Sequence, residues 1–237
     1  MTVALAVLAI GALIFVHELG HLLSAKALRI PVARFSIGMG PVILRRRLWG
    51  LEWALSAVPF GGYVLYDVED ESELSARPWA SIATYLAGPA ANVVVAICLY
   101  VVVASLSRGE LAVTDGAAMA WLGLTSVMDL LAGLLSGQVG VGDLAGPVHI
   151  VSVGSDMVAE PPRFLAFLAF ISLDLAVVNL LPIPSLDGGR ILLIALQAVT
   201  RRSLPQRAQI VLLGGSFLLL AGLMAWVLVQ DVVRLFS

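Results

Sequence analysis

The sequence predicts a membrane-embedded α-helical protein with four transmembrane helices. A membrane-reentrant β-hairpin sheet lies between the first and second, and an interfacial amphipathic helix precedes the third. Three observations carry this. Of 237 residues, 60% are hydrophobic and only 13% charged, against roughly a quarter charged in a soluble domain. Four apolar segments, about 3–28, 79–104, 163–182 and 209–230, reach the ~20 residues that a helix needs to cross a bilayer. The stretch between the first two alternates with period two instead of running at helical spacing.

The first segment begins apolar but lacks the basic n-region of a cleavable leader, and its apolar run continues past His17 and Glu18 to Ala27. It reads as a retained span. In the region 31–66, Phe35, Ile37 and Met39 alternate with Ser36, Gly38 and Gly40, and Trp53, Leu55 and Ala57 repeat the pattern. That is strand periodicity with glycine punctuation. Non-helical backbone is tolerated at membrane depth only against protein or a wet cavity, which fits a sheet dipping in from the cytosolic side. The acidic run Asp67–Glu73 reads as a solvated linker.

Residues 117–135 place Trp121, Leu124, Met128, Leu131 and Leu135 at helical spacing. A full crossing there would put Asp187 about a bilayer thickness from the histidines of the first span. An interfacial helix keeps them together. The third span runs into Pro182, Pro184 and Gly188-Gly189. Proline lacks the N–H that a helix interior needs, so the span should unwind at 182–187 and restart as a short helix at about 188–199.

Basic residues fix the orientation. Seven lie between the first and second spans, four between the third and fourth, and three elsewhere. The excess marks the cytosolic side, with both termini extracytoplasmic. The net charge of −2 and the absence of a basic patch interleaved with aromatics argue against a nucleic-acid partner. Cys98 is the one cysteine, so no internal disulfide forms.

Within the first span stands His17-Glu18-Leu19-Gly20-His21. Histidines at i and i+4 share one helical face, so both imidazoles can reach one metal ion. Glu18 is offset by about 100° and can serve as a general base. Ionisable residues inside a span are costly and rare, which makes a chance cluster a poor account. A catalytic zinc usually takes three protein ligands. The charge count puts His149 on the opposite side of the membrane, so Asp187 is the better third ligand, with capping of the helix at Gly188 a compatible second role. Asn179 either binds a substrate strand or oxyanion or makes a helix–helix bond. Asn92 reads as a packing residue, and Asp174 has no evident partner. Three histidines are too few for a membrane di-iron oxygenase. A transporter with a broken helix is the main alternative, but it leaves Glu18 between two correctly spaced histidines unexplained.

HELGH in the first span, AGPAAN (87–92) in the second and NLLPIPSLDGG (179–189) in the third resemble the site-2 protease family of intramembrane metalloproteases. FSIGMGP (35–41), FGGYV (60–64), RPW (77–79) and LAGPVHI (144–150) resemble its bacterial regulator-of-sigma-E branch. The resemblance covers nearly the whole chain. It implies Zn2+ held by His17, His21 and Asp187, Glu18 as catalytic base, and Asn179 holding substrate. It also implies a reentrant β-edge that receives an unwound substrate strand, for which Ile37, Gly38 and Met39 are the expected positions. Substrates would be single-span membrane proteins, such as anti-sigma factors or remnant signal peptides, cut in a bacterial inner membrane. One departure is large: the branch carries PDZ domains between its second and third spans. Here about 17 residues (104–120) lead from the second span into the interfacial helix, too few for such a domain, leaving one intramembrane protease domain over 1–237. Nothing in the sequence bears on the oligomeric state.

Overall fold

The computed structural model describes residues 1–67, 76–140, 142, 144–202 and 204–236. The acidic linker predicted at 67–73 therefore lies outside them, except for Asp67, whose N–H donates to the Pro31 carbonyl (3.0 Å). The chain order is α1 (Thr2–Ala27), β1 (Val32–Leu48), β2 (Leu51–Tyr66), α2 (Pro78–Arg108), α3 (Val113–Leu135), α4 (Pro147–Met157), α5 (Pro161–Asn179), α6 (Asp187–Thr200) and α7 (Gln206–Phe236). Five of these helices, α1, α2, α3, α5 and α7, are long and apolar enough to cross a membrane. The protein is an integral, multi-pass membrane protein. Two compact units form, Gly11–Asn92 with Val178–Ser216, and Met1–Ile10 with Val93–Val177 and Phe217–Ser237.

In the first unit, α1 presents two distinct stripes. Phe15, Leu19 and Leu22 cover Phe35, Leu51, Trp53 and Val64 of the sheet, with the Phe15 and Phe35 rings meeting edge to face. The second stripe approaches α2 closely, because Gly20 has no side chain: a Cβ there would stand 2.4 Å from the Ala87 carbonyl oxygen. Small residues at such crossings let membrane helices approach backbone to backbone.

The two strands pair antiparallel, but each bends, so that Phe35 pairs with both Val64 and Trp53 and Ile37 with both Gly62 and Leu55. Four segments thus lie side by side in the order 42–48, 51–58, 32–39, 62–66. The bends fall at Gly38 (φ +83°) and Gly61 (φ +88°), conformations that favour glycine. The segment containing Ile37–Met39 is therefore an inner one; the sheet edges are 42–48 and 62–66. The expected break after the third span is present: α5 ends at Asn179 and the chain restarts at Asp187. A Cβ at Gly188 or Gly189 would lie 2.1 Å from the Leu180 or 2.0 Å from the Ile183 carbonyl oxygen, so only glycine lets α6 tuck under the broken segment.

In the second unit, Ala120 and Val127 of α3 pack with Ala96 and Tyr100 of α2 and Ala169 and Leu173 of α5. The short helix α4, unforeseen from the sequence, starts with Pro147 at its first turn, where the missing N–H costs nothing. Its first amides are capped from a distance. The buried Asp231 carboxylate of α7 accepts the N–H groups of Gly146 (3.1 Å) and His149 (3.0 Å).

Candidate metal centre

The i, i+4 geometry of α1 brings the two imidazoles together, and the restart of the chain at Asp187 supplies a carboxylate. His17 Nε2 lies 3.1 Å and His21 Nε2 3.2 Å from Asp187 Oδ2, and the two nitrogens are 3.2 Å apart. Ligands at roughly 2.0–2.1 Å from a tetrahedral zinc are about 3.3 Å from one another, so this nearly equilateral triangle has the size of one face of such a site. Asp187 is the first residue of α6, and the N-cap position belongs to Leu186 without a side-chain cap. The carboxylate is directed to the histidines and does not cap the helix.

Two features prepare the nitrogens. His21 Nδ1 is 2.8 Å from the Thr84 carbonyl; donation there fixes the proton on Nδ1 and leaves the Nε2 lone pair for a metal. His17 Nδ1 is 3.2 Å from the Asn92 side-chain amide. The two ends of an amide are interchangeable in placement, and with its oxygen toward Nδ1 Asn92 does for His17 what Thr84 does for His21. Asn92 is fully buried. Gly88 completes the cradle: a Cβ there would fall 2.3 Å from His21 Nε2 and 2.9 Å from His17 Nε2. The backbone of α2 passes within reach of the donor nitrogens, and only hydrogen at that position leaves room for an ion. The donor set, the His21 tautomer fixed by Thr84 and the glycine cradle all fit zinc.

The triangle borders a cavity of about 550 Å³, within the usual range for small-molecule and cofactor sites. Glu18 lines it together with Gly62–Tyr66, Tyr85, Asn179 and Arg190. The wall is thus made by the sheet edge 62–66, with Gly62 so close to Glu18 that a Cβ would meet its Cγ at 2.9 Å. Tyr85 packs its ring against His21 and against Tyr66. Burial, aided by the nearby Asp187 and Glu18 carboxylates, holds the Tyr66 phenol above its ordinary pKa.

Of the residues singled out in the sequence, His17, Glu18, His21, Asp187 and Asn179 meet at this cavity. Ile37, Gly38 and Met39 do not line it. Their segment is paired on both sides at Ile37, and the edge next to Glu18 is 62–66. Asp174 belongs to the other unit and is not among the residues that line the cavity. The sequence assigns no role to Gly88, Gly62 or the Tyr66–Tyr85 pair, and reads Asn92 as a packing residue, whereas Asn92 contacts His17. For Gly88 and Asn92 the signal was there, as a glycine and an amide four residues apart in an apolar span.

Comparison with known proteins agrees with this geometry. Over 115 residues the chain is 42% identical to a Chlamydia trachomatis protein, covering 40% of this chain and 18% of the relative. It is 28% identical over 331 residues to a Clostridium perfringens protein, covering 98% of this chain and 99% of the relative. With a Campylobacter jejuni protein it shares 24% over 340 residues, covering 97% and 92%. All three are described as "putative zinc metalloprotease". The chain spans under a fifth of the Chlamydia relative and nearly all of the other two. The Clostridium alignment runs to 331 residues against a chain of 237, so that relative carries a long insertion. The profile of peptidase family M50, which comprises the site-2 proteases, matches residues 5–223 and so includes every residue of the metal triangle and its cradle; the chain belongs to that family.

Proposed function

We propose that this chain is a zinc-dependent intramembrane protease that hydrolyses peptide bonds within or near the transmembrane segment of single-span membrane proteins. The observation that carries the reading is the juxtaposition of the His17–His21–Asp187 triangle with Glu18 and an open strand edge around one cavity. His17, His21 and Asp187 hold the ion, which when bound polarises a carbonyl and acidifies water. Glu18, next to the triangle and not part of it, takes the proton and returns it to the leaving amine. A helical substrate must unwind to expose a peptide bond, and adding it as a strand to 62–66 compensates the hydrogen bonds that it loses. Asn179, the last residue of α5, holds the substrate strand from the other wall.

The sheet supports a reentrant placement. Its base packs near the end of α1, where Ala25 and Ile30 meet Val32 and Tyr66, and it runs back along α1 until Gly62 reaches Glu18. The basic-residue count supports a base on the cytosolic side, with the Thr2 end of α1 and the Arg234 end of α7 outside. Four crossings with α3 returning to its own side fit the contacts of the second unit. Arg108 at the end of α2 pairs with Asp115 of α3. Beyond α3 the chain turns back at once, the Gln138 and Val139 N–H groups donating to the Gly133 carbonyl (2.9 and 3.0 Å). Arg234 of α7 then holds the Gly142 carbonyl. Three residues extend ~10 Å at most, so both ends of α3 stay near extracytoplasmic helix ends. The short 109–112 connection leaves no room for a PDZ domain, and we assign the whole chain to one protease domain.

The test uses detergent-purified protein with a panel of single-span substrates, with and without a zinc chelator. Glu18→Gln should keep about one zinc per chain and lose at least ~100-fold in turnover, whereas Asp187→Asn should lose the metal itself. Full zinc occupancy and unchanged cleavage in Asp187→Asn would refute the assignment.

A further inference from the structure

The hairpin tip, at the opposite end of the sheet from the glycine bends, carries a surface that catalysis does not use. Along the outer segment, Ile43 and Leu44 are exposed (68% and 65%), followed by exposed Arg45, Arg46 and Arg47 and then Trp49 (84% exposed) at the turn. The cross-strand partners of the arginines are Ala54, Trp53 and Glu52. Glu52, the one acid there, is engaged by Arg34 at 2.5 Å. Among the described residues no carboxylate is in ion-pair contact with Arg45, Arg46 or Arg47. The exposed side chains at the other end of the sheet, Ile37, Met39 and Val58, are apolar. The surface thus grades from apolar at the bends, through three cations, to a tryptophan at the tip. The base of the sheet carries further matching groups: Arg77, which donates to the Leu28 and Arg29 carbonyls, and Trp79, 82% exposed.

A charge run that is merely solvated has no use for exposed isoleucine, leucine and tryptophan on the same strand. Cations flanked by aliphatic groups on one side and an indole on the other match the hydrocarbon-to-headgroup boundary of a bilayer, where tryptophans collect and arginine stems can bury while their heads stay polar. Three neighbouring guanidiniums without a counter-ion among the described residues call for anions, and Arg suits phosphate oxygens because its fork can bind them in pairs. We propose that the tip Arg45–Trp49 docks on anionic phospholipid headgroups of the leaflet next to the metal site, and thereby holds the sheet, with its edge 62–66, at a fixed depth.

The inference does not depend on the chain being a protease, and its test does not read activity. The full-length protein is placed in nanodiscs containing spin-labelled phosphatidylglycerol or phosphatidylcholine, and the association of each lipid with the protein is compared by electron paramagnetic resonance. The wild type should prefer phosphatidylglycerol, and Arg45→Gln/Arg46→Gln/Arg47→Gln should lose at least about fivefold of that preference, because each basic residue near an anionic surface adds to the attraction. The triple lysine variant should keep most of it, and high salt should weaken it. Unchanged zinc content in each variant certifies the fold. An undiminished preference in the triple glutamine variant would overturn the proposal. So would a preference that emerges only when Glu69, Asp70, Glu71 and Glu73 are neutralised, because the arginines would then be occupied by the chain itself. A change in oligomeric mass without a change in lipid preference would also overturn it, pointing to a second copy as the occupant.

Discussion

Gly88 stands against His21 so closely that a methyl group on its α-carbon would lie 2.3 Å from Nε2, nearly where a zinc ion would bind. Alanine is a better helix former than glycine by about 1 kcal/mol. Gly88→Ala should therefore leave α2 helical while its methyl blocks the metal. We expect zinc affinity to fall by more than the 10–100-fold typical when a group that orients a metal ligand is lost, with helicity by circular dichroism unchanged. Zinc content at the wild-type level in purified Gly88→Ala would show that the cradle is wider than it looks.

How much of this was legible in advance follows the range of the interactions. The two histidines, Glu18 and the break before Asp187 are local patterns, encoded in helical spacing and in Pro182, Pro184 and the glycine pair. Gly88 and Asn92 act on residues roughly 70 positions away, so they became visible only once α1 and α2 lay side by side. The β-region was legible as strand but not in its order. Alternation tells which faces a strand has, whereas the bends at Gly38 and Gly61 decide which segment ends at the edge, and they exchange Ile37–Met39 for 62–66. Helix α4 was missed because its start is fixed by Asp231, 85 residues from Gly146.

The contact between Asn92 and His17 makes a second prediction. Asn92→Ala removes the amide that contacts Nδ1 and orients the ring. Zinc affinity, measured by competition with a chromogenic chelator, should drop about 10–100-fold, with His21 still held by the Thr84 carbonyl. An unchanged dissociation constant would reduce Asn92 to the packing role that its sequence context suggested.

Gly62 separates base from metal in a third test. Its missing side chain makes room for Glu18, and a Cβ would also approach the Ser36 carbonyl at 3.0 Å. Gly62→Ala should push the Glu18 carboxylate aside without touching any zinc donor. Displacement by about 1 Å near a reacting centre can cost 10²-fold, so turnover should fall steeply at full zinc occupancy. Loss of zinc in parallel with activity would mean that the substitution disturbs the whole site and says nothing particular of Glu18.

The strand edge gives the last prediction, and the paired and unpaired segments of the sheet supply its control. Proline removes one backbone donor and is tolerated in sheets only where that donor faces outward on an edge strand. Ile37 has partners on both sides, so Ile37→Pro should break the sheet whatever the substrate does, seen as loss of expression or as new protease-sensitive sites within 32–66. At the edge, successive residues point their N–H groups alternately inward and outward. Of Tyr63→Pro and Val64→Pro, one should therefore resemble Ile37→Pro, and the other should keep the fold and zinc while cleavage of single-span substrates falls. Its remaining cleavage should favour substrates whose segment is already unwound by a helix-breaking pair, since these need less from strand pairing. If neither edge variant separates cleavage from folding, the substrate is held by side chains such as Asn179 and Tyr66 and not by the backbone of 62–66.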